Sequence, residues 1–409
     1  MFFNVKYKMF LSILCVATQA VAGQDGRCAM KIRLGFLLLT ALMSFGCGSS
    51  ETCFTPNPND SYIDRDAIFV ANTGSNSISA FQLAGPMKGP AAGGVCGTPF
   101  PVGAAPSALG GGLLFPGGLL VASQSQKTVS MYSVDFLTSA LTGPVFTITT
   151  RYTPLAVAVL QGFFYLANAE GGISAYQIMN GTGATEIAGS PFASGSGPVA
   201  LVGGLEPPVL YVANSRSNNI SGYSVNGNTG ALTPLNGSPY TAGQGPASII
   251  LTPAPALNIL GARLVMVANK LSNNVSVFSV AGDGSLSPVP GSPFAVDGAP
   301  SSVGVTTTGM PMTFAYVTIP ALNEIAGFSI DAASGTLTPL AGSPFPAGQG
   351  PSATVESDGG YFLYVVNAGS STLSVYSIDQ TSWALTPVSG SPFALGQSPS
   401  AILYCDVPK

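Results

Sequence analysis

Most of this sequence is one segment of about fifty residues written seven times. The clearest copy is YVANSRSNNISGYSVNGNTGALTPLNGSPYTAGQGPAS, residues 211–248, and three anchors recur around it. The first is an apolar run ending in Asn72, Asn168, Asn214, Asn269 and Asn367, with Ser123 and Ile319 in the other two slots. Asn72 and Asn367 are 295 residues apart over six steps, about 49 residues each. The second anchor is GTPF at 97–100 and then GSPF or GSPY at 189, 237, 291, 342 and 390; the second repeat lacks it. The third is a proline opening the next unit: Pro106, Pro154, Pro198, Pro246, Pro300, Pro351 and Pro399.

Each unit reads as four short strands. Strand a follows the proline, strand b is the YVAN segment, and strand c alternates with period two, as in ISGYSV. Strand d precedes or includes GSPF. The b–c connection is rich in Asn and Ser and suits a turn with positive φ, while TGAL, DGSL or SGTL supplies the left-handed glycine of the c–d turn. A four-stranded repeat of this length is a propeller blade, so the chain is read as all-β, a seven-bladed β-propeller. The first repeat has no strand a, and Pro399–Tyr404 is a strand a with nothing after it. The C-terminal strand therefore closes blade 1, with 401–404 pairing to 68–71, which removes exposed edges.

These anchors resemble the YVTN-type, lactonase-like seven-bladed propellers, the family that includes 6-phosphogluconolactonase-like proteins. The resemblance covers about residues 62–405. It implies the fold and, as an activity, lactone hydrolysis. In related muconate-lactonising propellers it implies a His working with Arg residues. This chain has no His, so that assignment has no residue to land on.

The N-terminus reads as an export signal over residues 1–47. Residues 30–47, MKIRLGFLLLTALMSFGC, hold two basic residues, an apolar stretch of 13 and Gly46-Cys47. This resembles a bacterial lipobox, with Ser44 where Leu is usual, and Cys47 is the expected lipidated residue. An ordinary cleaved signal is the alternative. An upstream apolar run ends in Ala20-Val21-Ala22, which makes Met30 a candidate true start. Residues 48–61 form a tether and 62–409 the propeller. The expected address is the cell envelope, as a periplasm-facing or cell-surface lipoprotein. Of Cys53, Cys96 and Cys405 at most two bridge; Cys53 can reach either of the others, and Cys96–Cys405 is disfavoured by strand spacing.

Composition excludes several function classes. Charged residues are 7% of the chain against 46% hydrophobic, yet no apolar run reaches the ~18–20 residues of a membrane span. The lack of His removes His-based triads and zinc sites, and no cofactor or metal is expected. Thirteen Lys and Arg make no nucleic-acid stripe.

After Cys47 eight bases face sixteen acids, and the strand scheme divides them. The b–c and d–a loops share one face, here the top. It carries Lys127, Arg151, Arg216 and Lys270 against Glu170, Asp297 and Glu324. The bottom is acidic, with Asp331, Glu356, Asp358 and Asp379 among its turns. The four top bases are candidate anion ligands, or simply solvated loop charges. Gln244, Gln349 and Gln397 recur in the d–a connections and either line a polar pocket or satisfy backbone groups. The strand-b asparagines are read as caps of the b–c turns, and the GSPF aromatics as inter-blade packing.

Two functions follow. One is a lipid-anchored propeller binding a protein, a carbohydrate or a small anion on its top face. The other is a lactonase working without His, with Glu170 or Glu324 as general base and Arg151 or Arg216 on the carbonyl oxygen.

Overall fold

The structure is a computed structural model of the chain. It describes residues 66–83, 95, 98–103, 105–111, 117–135, 138–179, 182–252, 263–307 and 313–405. The export signal, Cys47, the tether and two of the three cysteines discussed above lie outside the described residues.

Seven antiparallel sheets follow one another, and each is ordered a-b-c-d as the repeat implies. The b strands are the most buried elements. Ala67–Asn72, Gly118–Ser123, Phe163–Asn168, Leu264–Asn269, Thr313–Ile319 and Phe362–Asn367 are buried at every position. Strands covered on both faces need continuous apolar runs, which is why YVAN does not alternate. Side chains leaving opposite faces of a b strand enter different cores. Phe69 and Ala71 pack toward blade 2, whereas Ile68 and Val70 pack toward blade 7. The hydrophobic core is thus a set of inter-blade layers.

The ring closes as the orphan strands require. Pro399–Cys405 pairs antiparallel with Ala67–Asn72, and Ile68 faces Tyr404, Val70 faces Ile402 and Ala71 faces Ala401. Cys405 is buried at the end of this strand, opposite Ala67.

The GSPF motif differs from the expected outer strand. In blade 4 strand d is two pieces, Leu232–Pro234 and Tyr240–Thr241, both pairing with strand c, and the motif is the bulge between them. All six motif prolines follow cis peptide bonds. The motif's hydroxyl residue takes over as acceptor where the ladder breaks. Ser190, Ser238, Ser292, Ser343 and Ser391 Oγ accept from strand-c amides at 2.9–3.1 Å, and Thr98 does so at 2.8 Å. The aromatics pack between blades as expected: Tyr240 between blades 4 and 5, Phe345 between 6 and 7.

Two further buckles tie neighbouring blades. The tyrosine of YVAN reaches the c–d turn of the next blade: Tyr165 donates to Gly230 O, Tyr211 to Gly284 O and Tyr316 to Trp383 O, at 2.8, 2.6 and 2.9 Å. Trp383 closes the c–d turn of blade 7, its amide donating to Asp379 O. Here it takes the left-handed turn position (φ 63°) that is glycine at Gly230 and Gly284, and stacks on Phe314 at 3.8 Å.

Candidate functional site

The b–c and d–a loops meet on one face, and their backbones are bonded to each other. Gly74 N donates to Gln397 O, Leu271 N to Gln244 O and Gly369 N to Gln349 O. The three recurrent glutamines therefore satisfy loop backbone groups through their carbonyls while their side chains stand exposed.

The strand-b asparagines lie just beneath these loops. They are not exposed turn caps; Asn72, Asn168, Asn214, Asn269 and Asn367 are fully buried. Each donates its Nδ2 to a strand-c hydroxyl, as Asn269 does to Ser276 and Asn214 to Ser221 at 2.9 and 3.0 Å. A d–a glycine seals the cluster. A Cβ on Gly195 or Gly243 would lie 2.5 Å from Ser217 Oγ or Asn274 Oδ1, so only glycine fits that close approach. The AGQG of the repeat is thereby explained.

The candidate charged residues lie on these loops, except Glu324, which opens a strand. Lys127 ends the b–c turn of blade 2 in a left-handed conformation (φ 53°), where other blades place Asn76, Asn218, Asn273 and Asn323. Its Nζ lies 3.1 Å from Glu170 Oε1 on the b–c turn of blade 3. Glu170 also accepts from the Thr153 amide at 2.8 Å and its hydroxyl at 2.9 Å. Desolvation pushes the Glu170 pKa up, but these Thr153 and Lys127 bonds outweigh it and bring it down to about 2. Such a carboxylate stays ionised and is a poor proton acceptor near neutral pH.

Arg151 is exposed in the d–a connection entering blade 3, with its guanidinium 5.2 Å from the Tyr152 ring centroid. Arg216 and Lys270 are exposed on the b–c turns of blades 4 and 5. Among the described residues neither they nor Arg151 has a carboxylate within ion-pair distance. Glu324 opens strand c of blade 6, half-buried, paired in register with Ile319 and Pro346. Asp297 is exposed. No group of three acidic or thiol side chains able to hold a metal occurs among the described residues.

The bottom face holds the expected turn-forming acids. Asp331 accepts from Ser334 and Ala333, and Asp379 from Ser382 and Thr381, which lowers both pKa values. Glu356 departs from its reading as a surface turn charge. It ends strand a of blade 7, and its carboxylate lies in the space that Gly304 of blade 6 leaves open. Its Oε1 has no hydrogen-bond partner among the described residues, and burial pushes its pKa up to about 7 against the pull of the Val305 amide.

Residues 218–403 match the model of the lactonase, seven-bladed β-propeller family. Solved structures agree. A Bacteroides fragilis protein provisionally named 6-phosphogluconolactonase superposes with a TM-score of 0.68 at 18% identity, over 85% of this chain and 99% of its own. A periplasmic gluconolactonase of Pseudomonas aeruginosa gives 0.65 at 17% identity, over 84% and 99%. A protein from Lactobacillus plantarum gives 0.64 at 19%, over 83% and 98%. No curated protein matches the sequence. At these identities the superpositions show the fold, a seven-bladed propeller, and the lactonase family model matches residues 218–403 of it.

Proposed function

We propose that this chain is an exported, lipid-anchored propeller that captures a small anionic sugar-acid derivative on its top face. One observation carries the reading. Arg151, Arg216 and Lys270 stand exposed on loops of blades 3, 4 and 5 without a carboxylate partner among the described residues, whereas Lys127 is neutralised by Glu170. Unpaired cations on neighbouring loops attract a carboxylate or phosphate, and the exposed glutamine amides add uncharged hydrogen-bonding groups nearby. Strand b of blade 1 starts, and the closing strand ends, on the opposite face, where Ala67 pairs with Cys405.

Lactone hydrolysis is the second reading, favoured by the family match over residues 218–403. Its weakness is the base. The chain has no His, and Glu170 is held ionised, which leaves Glu324. Binding of 6-phosphogluconate, followed by calorimetry, tests the proposal. Replacing Arg151, Arg216 and Lys270 together by Ser should abolish it with the melting temperature unchanged. Replacing Asp331 and Asp379 by Asn on the bottom should leave it intact. Binding that survives the first change and is lost with the second refutes the face assignment.

A further inference from the structure

Blade 2 breaks the repeat at the buried asparagine. Its strand b ends in Ser123, which pairs with Thr128 as Asn214 pairs with Asn219. Blade 6 breaks the same rule differently: Ile319 fills the slot, and a Cβ on Gly298 would lie 2.8 Å from its Cγ2. Serine fills much less space than either.

The glycine above records the consequence. Gly103 lies three residues before Pro106, as Gly195 lies before Pro198 and Gly243 before Pro246. At Gly195 and Gly243 an added Cβ collides with the asparagine cluster, whereas at Gly103 it meets nothing within 4 Å. A cavity of about 230 Å³ opens there, between blades 1 and 2 and beneath the top-face loops.

Its lining is hydroxyl-rich: Ser123, Thr128, Ser130, Tyr132 and Thr147, with Gln126 adding an amide. Blade 2 lacks GSPF; its strand d is one strand, Leu141–Thr149, bulged between Thr142 and Phe146, and it sets Thr147 Oγ1 2.8 Å from Ser130 Oγ. Tyr132 is left with an unused donor. Its counterparts Tyr223 and Tyr376 donate to the Ala193 and Pro346 carbonyls of the preceding blades, but the Tyr132 hydroxyl makes no hydrogen bond among the described residues. Val102, Val121 and Pro144 supply apolar wall, and among the described residues no charged side chain lines the cavity.

We propose that this inter-blade cavity binds a small, uncharged, polyhydroxylated molecule of about monosaccharide size. Hydroxyl and amide groups both donate and accept, which suits a ligand carrying several OH groups. The apolar wall suits its C–H faces, and the absence of charge gives no preference for an anion. None of Arg151, Arg216 and Lys270 lines it, and the site stands whether or not those three capture an acid.

Saturation-transfer NMR on the full-length protein tests this, with D-glucose, D-galactose and myo-inositol as probes and gluconate as the charged comparison. At least one neutral probe should bind saturably below about 20 mM, as single small-ligand sites commonly do. Ser123→Asn restores the repeat residue and fills the cavity; it should weaken that binding at least about tenfold while the melting temperature holds or rises. Tyr132→Phe removes one hydroxyl with little change in volume, and should weaken binding several-fold in a fully folded protein. If no neutral probe binds, the cavity is a water pocket and the proposal fails. It fails equally if Ser123→Asn and Tyr132→Phe both bind like the wild type, or if gluconate competes at this site as well as the neutral probes do.

Discussion

Tyr211 and Tyr364 occupy the same position of the repeat, are both fully buried, and should respond to the same substitution with opposite sign. Tyr211 donates to the Gly284 carbonyl at 2.6 Å, and Gly284 is itself buried. Tyr211→Phe removes that bond and leaves a buried carbonyl without its donor. A neutral hydrogen bond contributes about 0.5–1.5 kcal/mol net, and an orphaned buried partner costs about 1–3 kcal/mol, so a loss of about 2 kcal/mol is expected. Tyr364 follows another arithmetic. Its hydroxyl has no partner among the described residues; the c–d connection of blade 1, where the pattern would place one, lies outside them. Tyr364→Phe removes a buried polar atom that gains nothing, and should be neutral or stabilising by up to about 1 kcal/mol. Urea unfolding at pH 7 reads both, with Tyr165→Phe and Tyr316→Phe expected to follow Tyr211→Phe. Equal losses for Tyr211→Phe and Tyr364→Phe would refute the buckle between YVAN and the next blade.

Other consequences are as direct. Deleting 399–409 removes the strand whose six residue pairs close blade 1 and bares Ala67–Asn72; the melting temperature should fall sharply, and an unchanged midpoint would contradict closure. Glu356 has a pKa raised to about 7, so the folded chain holds its proton more tightly than the unfolded chain. Stability should then fall as pH rises from about 4.5 to about 7, by on the order of 3 kcal/mol at one carboxyl. Glu356→Gln should flatten that window and exceed the wild type at pH 8; unfolding curves with the same slope in both proteins would rule this out. If Cys47 is lipidated, Cys47→Ala should move the protein from membrane to soluble fractions, and intact mass should show the lost acyl groups.

Much of this architecture was readable because the repeat fixes period, strand order and face together. The orphan strands at the two ends gave the closing register, and the b–c and d–a positions of Lys127, Arg151, Arg216 and Lys270 put them on one face. What escaped the sequence depends on residues brought together between blades. Glu356 reads as a turn acid because nothing in its own segment reveals the room beside Gly304, 52 positions earlier. The serine of GSPF reads as a turn residue, since its role appears only where strand d leaves the ladder. LVAS was visibly irregular at Ser123, but its meaning required the empty space below Gly103. The pairing of Lys127 with Glu170 joins two blades, and no spacing within one repeat announces it.

Capture without chemistry is the central functional claim, and one proton-NMR time course tests it. Glucono-δ-lactone and 6-phosphogluconolactone are each followed with and without stoichiometric protein, in the presence and absence of divalent metal ions. The account predicts saturable broadening of the phosphorylated sugar's signals, lost in the Arg151, Arg216 and Lys270 triple variant, with ring opening at the spontaneous rate throughout. Ring opening accelerated by the wild type and abolished by Glu324→Gln would contradict it, and would make this propeller a lactonase that dispenses with histidine.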